Sequence, residues 1–173
     1  MSIRKADAKI KNEAEFRAVV GENADYYLAR WKDSRRSGLN LAAFCMAGLW
    51  LPYRKMHREA AALFTLFLLE SIASDLVRAT GILRPETPRR LQIVIIFAVA
   101  WVCGAFGNAW YRSHVKRVID AAKLDEPDET KRLSLLTARG GTSVRAAFLW
   151  MLGSVIVTGI LSAVLQRTLG VAE

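Results

Sequence analysis

The sequence predicts an all-α, polytopic integral membrane protein with three spanning helices. Of its 173 residues, 53% are hydrophobic, and these residues are gathered into long runs. Crossing a hydrocarbon core of about 30 Å takes roughly 20 helical residues. Two runs, 91–111 and 144–169, meet that length without a charge near their centres. The net charge is +9, and nearly all the Lys and Arg residues lie between the apolar runs, where anionic lipid headgroups would meet them.

The segment 1–38 is predicted to be a basic, amphipathic, helix-forming region on the cytoplasmic side. Between residues 16 and 31, its apolar residues follow the three-and-four spacing of one helix face. Two interpretations are open. The face lies in the membrane interface with its aromatic rings at headgroup depth, or it packs on the rest of the protein. This face consists of Phe16, Val20, Ala24, Tyr27 and Trp31.

A membrane domain is predicted over 39–173. Its first apolar run, 39–52, is too short to span, so we expect it to be re-entrant or to lie in the interface. The expected spans are 60–83, 91–111 and 144–169.

The polar stretch 112–143 is predicted to be a cytoplasmic amphipathic loop. Its first part keeps helical spacing, so the helix of the second span should continue until the stretch around Pro127 ends it. Gly140 and Gly141 predict a hinge, and Thr142 or Ser143 can cap the final helix.

Counting basic residues predicts the topology, because Lys and Arg are retained on the cytoplasmic side. With 39–52 not spanning, twenty basic residues lie inside, in groups of nine, three and eight. Four lie outside, namely Arg84, Arg89, Arg90 and Arg167. This asymmetry predicts a cytoplasmic N-terminus and an external C-terminus.

Five polar residues in the run 60–83 fall on one helix face at 100° per residue. Glu70 lies roughly 15 Å into the helix, near the bilayer midplane. A charge there costs at least about 3 kcal/mol, so the face must meet protein or a wet cavity. Either Glu70 belongs to an ion or proton path, with Asp75 and Arg78 paired nearer the outer surface, or it is a protonated interhelical hydrogen-bonding group. The stripe consists of Glu70, Ser71, Ser74, Asp75 and Arg78.

Small and polar residues recur every four positions on the other two spans. Such spacing lets helix backbones approach closely and lets hydroxyl and amide groups bond across the gap, so we interpret these residues as helix packing. They are Ala100, Gly104 and Asn108 on the second span, and Ser154, Thr158 and Ser162 on the third.

A basic and aromatic cluster follows the short apolar run. Such a cluster suits contact with anionic lipid headgroups, although snorkelling that stops translocation needs no specific ligand. The cluster comprises Trp50, Tyr53, Arg54, Lys55 and Arg58. His57 and His114 are the only histidines, and no carboxylate stands at ligand spacing, so we expect no metal site.

Several blocks of the sequence together form a recognisable pattern. They are Asn23-Ala-Asp-Tyr26-Tyr27 with Trp31, Asn40-Leu-Ala42-Ala43-Phe44, Trp50, Tyr53-Arg54-Lys55-Met56, and Gly107-Asn108 with Tyr111 and His114. These blocks resemble an uncharacterised family of small bacterial membrane proteins, a domain of unknown function marked by a Tyr-Arg-Lys-Met block. The resemblance covers roughly residues 23–119. It implies location in the bacterial inner membrane and brings no assigned activity or catalytic residue.

The functional expectation is an accessory or scaffold subunit of a membrane complex, acting through helix contacts with other membrane proteins or itself and through lipid. The alternative is a small transport or ion-coupled component that uses Glu70. The sequence has no nucleophile motif, phosphate-binding loop or metal signature, so we expect no catalytic residue and no cofactor. It has no recognition element for nucleic acid either.

Overall fold

The computed structural model describes residues 3–32, 38–81 and 86–170, and within these ranges the chain forms helices and no strand. Three helices are long and apolar enough to cross a membrane, so the predicted fold class is confirmed. The helices are α1 (Ile3–Val20), α2 (Ala24–Lys32), α3 (Leu41–Met46), α4 (Trp50–Tyr53), α5 (His57–Thr80), α6 (Glu86–Asp125), α7 (Glu129–Arg139) and α8 (Val144–Leu169).

The candidate spans are α5, the first part of α6, and α8. Helix α5 ends at Thr80, where Gly81 adopts a left-handed conformation with φ 65°. The predicted end of this span at residue 83, and Arg84 beyond it, lie outside the described residues. Helix α6 has 40 residues and is therefore about 60 Å long, twice the hydrocarbon thickness. Its second half must project beyond the bilayer.

The projecting half of α6 forms a packed unit with α1, α2 and α7, which we call the headpiece. Residues at three-and-four spacing on one face of α6 are buried, namely Tyr111, Val115, Ile119 and Ala122. Asp128 caps α7 by accepting a hydrogen bond from the backbone amide of Lys131. The stretch 112–143 is thus mostly ordered helix packed in the headpiece, and it is not an open loop.

The N-terminal aromatic face packs inside the headpiece. Val20 and Tyr27 are 1% and 2% exposed, and Phe16 and Trp31 pack against the same core. The interpretation that places this face in the membrane interface is therefore wrong. The face also belongs to two helices instead of one, because Gly21 has φ 74° and interrupts the helix between α1 and α2.

Gly140 and Gly141 join the headpiece to α8, and the predicted hinge is wrong because this junction is held by contacts. Gly140 is buried, and the Gly141 amide donates to the Val19 carbonyl at 2.7 Å. Ser143 caps α8 by accepting from the Ala146 amide at 3.1 Å, while its own amide donates to the Tyr53 carbonyl. The start of α8 is consequently fixed to both α1 and the end of α4.

The short apolar run 39–52 forms two short helices, α3 and α4, joined by a 3-10 turn over Ala47–Leu49, and it packs against α6. Asn40 caps α3, since its side-chain oxygen accepts from the Ala43 amide at 3.0 Å. Helices α3 and α6 approach closely because α6 presents a glycine, Gly107, at their contact. A Cβ added at Gly107 would lie 3.0 Å from the Ala43 Cβ and 3.5 Å from the Trp50 ring.

Gly107→Ala should separate α3 from α6 and lower the melting temperature of the protein in detergent. Overpacking of this kind costs up to about 3 kcal/mol, and the helix-propensity gain of about 1 kcal/mol offsets only part of that cost. Gly153→Ala is the matched control, because a Cβ there has no atom within 4 Å. If both variants melted at the wild-type temperature, the close packing of α3 on α6 would be disproved.

Candidate functional site

Arg54 lies inside an aromatic box at the junction of the headpiece with the membrane helices. Its side chain is buried, with the guanidinium carbon 4.9 Å from the centre of the Tyr27 ring and 5.1 Å from that of Tyr111. The Tyr53 ring centre lies 5.8 Å away. One guanidinium nitrogen, Nη2, donates to the Tyr27 hydroxyl at 3.2 Å. The box thus ties α2, the end of α4 and α6 to one cation.

The Arg54 box changes the interpretation of the basic cluster. Trp50 and Arg54 are 1% and 6% exposed, so lipid headgroups do not reach them and the predicted headgroup contact is wrong for these two residues. Tyr53 is half-buried, and Lys55 donates to the Ala138 carbonyl at 3.2 Å. Arg58 alone is fully on the surface, and lipid contact there stays a prediction.

The charge on Arg54 is only partly compensated. Its Nε and Nη1 atoms are buried and have no protein hydrogen-bond partner. Among the described residues no carboxylate forms an ion pair with it. Burial raises the pKa of Tyr27, and the neighbouring Arg54 charge opposes that rise. The phenol therefore stays neutral and accepts the guanidinium hydrogen bond across the physiological range.

Replacing Arg54 with lysine should destabilise the protein more than replacing it with methionine. Lysine keeps the charge but loses the planar stacking on two rings, and its ammonium group is more strongly hydrated. Methionine fills similar space without a buried charge, so we expect it to be more stable than lysine by about 1–4 kcal/mol. Thermal unfolding of the two variants in one detergent measures the difference. A lysine variant as stable as wild type would contradict the role of the box.

The polar stripe on α5 divides into two parts, and the first part bonds to α8. Asp75 is 6% exposed and accepts from the Ser162 hydroxyl at 2.7 Å and from the Gln166 amide at 3.4 Å. Arg78 lies 3.8 Å from the same carboxylate. Ser71 contacts Ser162 at 3.4 Å. Asp75 is thus the centre of a seam between two spanning helices, where each polar group meets a partner.

The second part of the stripe faces a cavity. The Ser74 hydroxyl donates to the Glu70 carboxylate at 2.9 Å, and Glu70 forms no ion pair with any described Lys or Arg. The cavity has a volume of about 520 Å³ and lies between α5, α8 and the 3-10 turn. Its polar lining groups are Glu70, Ser71, Gln92, Ser154 and Thr158. Glu70 and Asp75 share one helix face but have different surroundings.

The recurring small residues on α6 lie at the contact with α3. Asn108 is 2% exposed, accepts from the Asn40 side-chain amide at 2.9 Å and donates to the Gly38 carbonyl at 3.1 Å. The Gly104 carbonyl accepts from the Asn40 amide at 2.8 Å, and Ala100 is buried. These residues therefore fasten the short apolar run to α6.

Some contacts were not predicted from the sequence. Gln166 follows Ser162 by four residues, and that spacing on an apolar helix was a signal for a further partner of Asp75. The contact between the side chains of Glu15 and Arg132 had no such signal, because the two residues are far apart in the chain and look like surface charges. In the part of the chain that the structure describes, no three His, Cys, Asp or Glu side chains are grouped to hold a metal ion.

These features define a helical protein with three helices long and apolar enough to span a membrane and with a packed helical headpiece. Residues 8–117 match the family model described as Protein of unknown function (DUF2628), and the chain belongs to this family. The match begins within α1 and ends in the projecting half of α6, so α7 and α8 lie outside it. The resemblance to a family of unknown function is thereby confirmed. No curated protein and no solved structure matches the chain.

Proposed function

We propose that this protein is an accessory or scaffold subunit of a complex in the bacterial inner membrane. It acts through helix contacts with other membrane proteins or with itself, and through contacts with anionic lipid. The observation that carries the proposal is a contrast in packing. The largest fully buried side chains of the described residues lie in the headpiece and in residues 40–56. In the most apolar stretch of α8, no residue is buried.

The other two long apolar helices are also mostly unburied. In their most apolar stretches, 11% of the residues of α5 and 33% of those of α6 are buried. Ile156 and Ile160 lie about 40° apart on α8, on the side away from the cavity-lining Thr158. They are 49% and 61% exposed. A rigid headpiece carried on helices with uncovered apolar faces suits a subunit whose membrane part completes its packing against another helix.

Site-directed photo-crosslinking in native membranes tests this proposal. A crosslinker placed in turn along α8 should give a protein adduct of one defined mass from Ile156 and Ile160, and none from the cavity-lining Thr158. A crosslinker at the buried Leu136 is the negative control within the headpiece. Lipid adducts at every exposed position, together with a monomer on mild-detergent purification, would disprove the scaffold role.

The proposed topology places the headpiece in the cytoplasm and the C-terminus outside. In a protein whose Cys45 and Cys103 are replaced, single cysteines beside Lys55 and Lys123 should be shielded from an impermeant reagent. A cysteine beside Glu86 should be labelled. The basis is the excess of basic residues at the headpiece end. Labelling beside Lys55 in intact cells would reverse the assignment.

A second candidate function is transport or ion coupling through Glu70, and the cavity beside this residue favours it. Flux across liposomes containing the purified protein tests this candidate. A proton or ion leak that Glu70→Gln abolishes, while the protein stays folded, supports transport. A leak that is absent, or equal in both proteins, leaves the scaffold role.

A further inference from the structure

The cavity beside Glu70 has the size and lining of a small-molecule site. Its volume of about 520 Å³ falls within the range of roughly 300–1,000 Å³ that is typical of ligand pockets. Its walls are largely apolar and include the aromatic rings of Phe64, Phe67 and Trp150. Gly48 and Pro52 also line it. A ligand in this place would need an apolar body.

The polar groups of the cavity favour a ligand that carries positive charge. Among the described residues of the lining, Glu70 is the only charged one, and its described polar contact is the Ser74 hydroxyl. The nearest basic residue in sequence on α5 that the structure describes, Arg78, lies beside Asp75 instead. The Ser154 hydroxyl donates to the Met151 carbonyl of its own helix, so its oxygen is available as an acceptor. The described lining residues thus offer acceptors and include no basic side chain.

The surroundings of Glu70 distinguish a binding site from a continuous proton path. A path needs titratable groups in series, whereas Asp75 is occupied by Ser162 and Gln166. An unpaired carboxylate at membrane depth is costly, and a cation with an apolar body would remove that cost. Aromatic rings beside the carboxylate would add cation–π attraction.

We propose that this cavity binds a lipophilic organic cation, with the Glu70 carboxylate as its counter-ion and the aromatic wall around its apolar body. Every described residue of the lining belongs to one chain, so the proposal does not depend on the scaffold role. It also gives the second candidate function a ligand class. Binding and transport are separable, because a cation can be held here without crossing the membrane.

Binding of radiolabelled tetraphenylphosphonium to the purified full-length protein tests the proposal. Wild type should bind this cation and should not bind the neutral triphenylphosphine oxide. Glu70→Gln should weaken binding about tenfold or more, because it removes the charge and keeps the shape. Asp75→Asn is the matched control, since it neutralises an acid on the same helix outside the cavity lining, and it should bind as wild type does.

A steric variant keeps the test decisive if Glu70→Gln does not fold. Gly159 lines the cavity, and a Cβ there has no atom within 4 Å, so Gly159→Leu should fill the space without disturbing the backbone. It should abolish binding while the melting temperature stays at the wild-type value. Absence of binding by wild type, or full binding by either folded variant, would overturn the proposal. If wild type binds the cation while photo-crosslinking gives only lipid adducts and the purified protein is a monomer, the binding site stands and the scaffold role is disproved.

Discussion

Gly140→Ala is expected to undock α1 from the rest of the headpiece and to lower the free energy of unfolding by about 2–4 kcal/mol. A Cβ at this position would collide with the Val19 carbonyl oxygen and lie 2.6 Å from the Val19 Cα. These are backbone atoms, so no side chain can rotate to make room. The two segments must move apart, which adds the cost of overpacking, about 1–3 kcal/mol, to the loss of the hydrogen bond from Gly141 to Val19.

Hydrogen–deuterium exchange measures this effect where it arises. The amides of α1 should exchange faster in Gly140→Ala, while those in the spanning part of α8 should be unchanged, and the melting temperature should fall. Gly153→Ala is the control for a glycine-to-alanine change with free space around it. If α1 stayed as protected as in wild type, the contact between Gly140 and Val19 would be absent from the folded protein.

Glu15→Ala is expected to cost about 3–5 kcal/mol, because it leaves a buried guanidinium without its counter-ion. The Glu15 carboxylate is 1% exposed and accepts from the Arg132 Nε at 3.1 Å. Lys123 Nζ lies 3.0 Å from its other oxygen. The three charges join α1, α6 and α7, so removing the central one weakens the whole headpiece.

Glu13→Ala is the matched control on the same helix. Glu13 pairs with Arg17 and Lys32, whose side chains are 45% and 63% exposed, and solvent screens such surface pairs so that they add little to stability. The double variant Glu15→Leu with Arg132→Leu should recover much of the loss, because it removes both buried charges together. Two results would show that the buried ion pair does not hold the headpiece together. One is that Glu15→Ala melts like Glu13→Ala. The other is that the double variant is less stable than Glu15→Leu alone and than Arg132→Leu alone.

The membrane helices were predictable because the bilayer acts on composition and length. The runs 91–111 and 144–169 must be helices in hydrocarbon, since no other backbone arrangement of one segment satisfies its hydrogen bonds there. The continuation of α6 and its end before Pro127 also followed from local spacing and a local breaker. The N-terminal face was visible as an amphipathic pattern. Such a pattern shows that the face is buried against something apolar, but it does not show whether that is lipid or protein. In the structure, the face packs against α6 and α7.

The sequence by itself determined the fold class, the presence of the long apolar helices and the sharing of one helix face by Glu70 and Asp75, because each follows from composition or from helical geometry within a single segment. The tertiary structure alone decided which groups lie opposite one another. It placed Tyr27 and Tyr111 around Arg54, so a cation that looks like a surface residue is interior. It placed Ser162 beside Asp75 and open space beside Glu70, because the position of α8 against α5 depends on contacts between residues far apart in the chain.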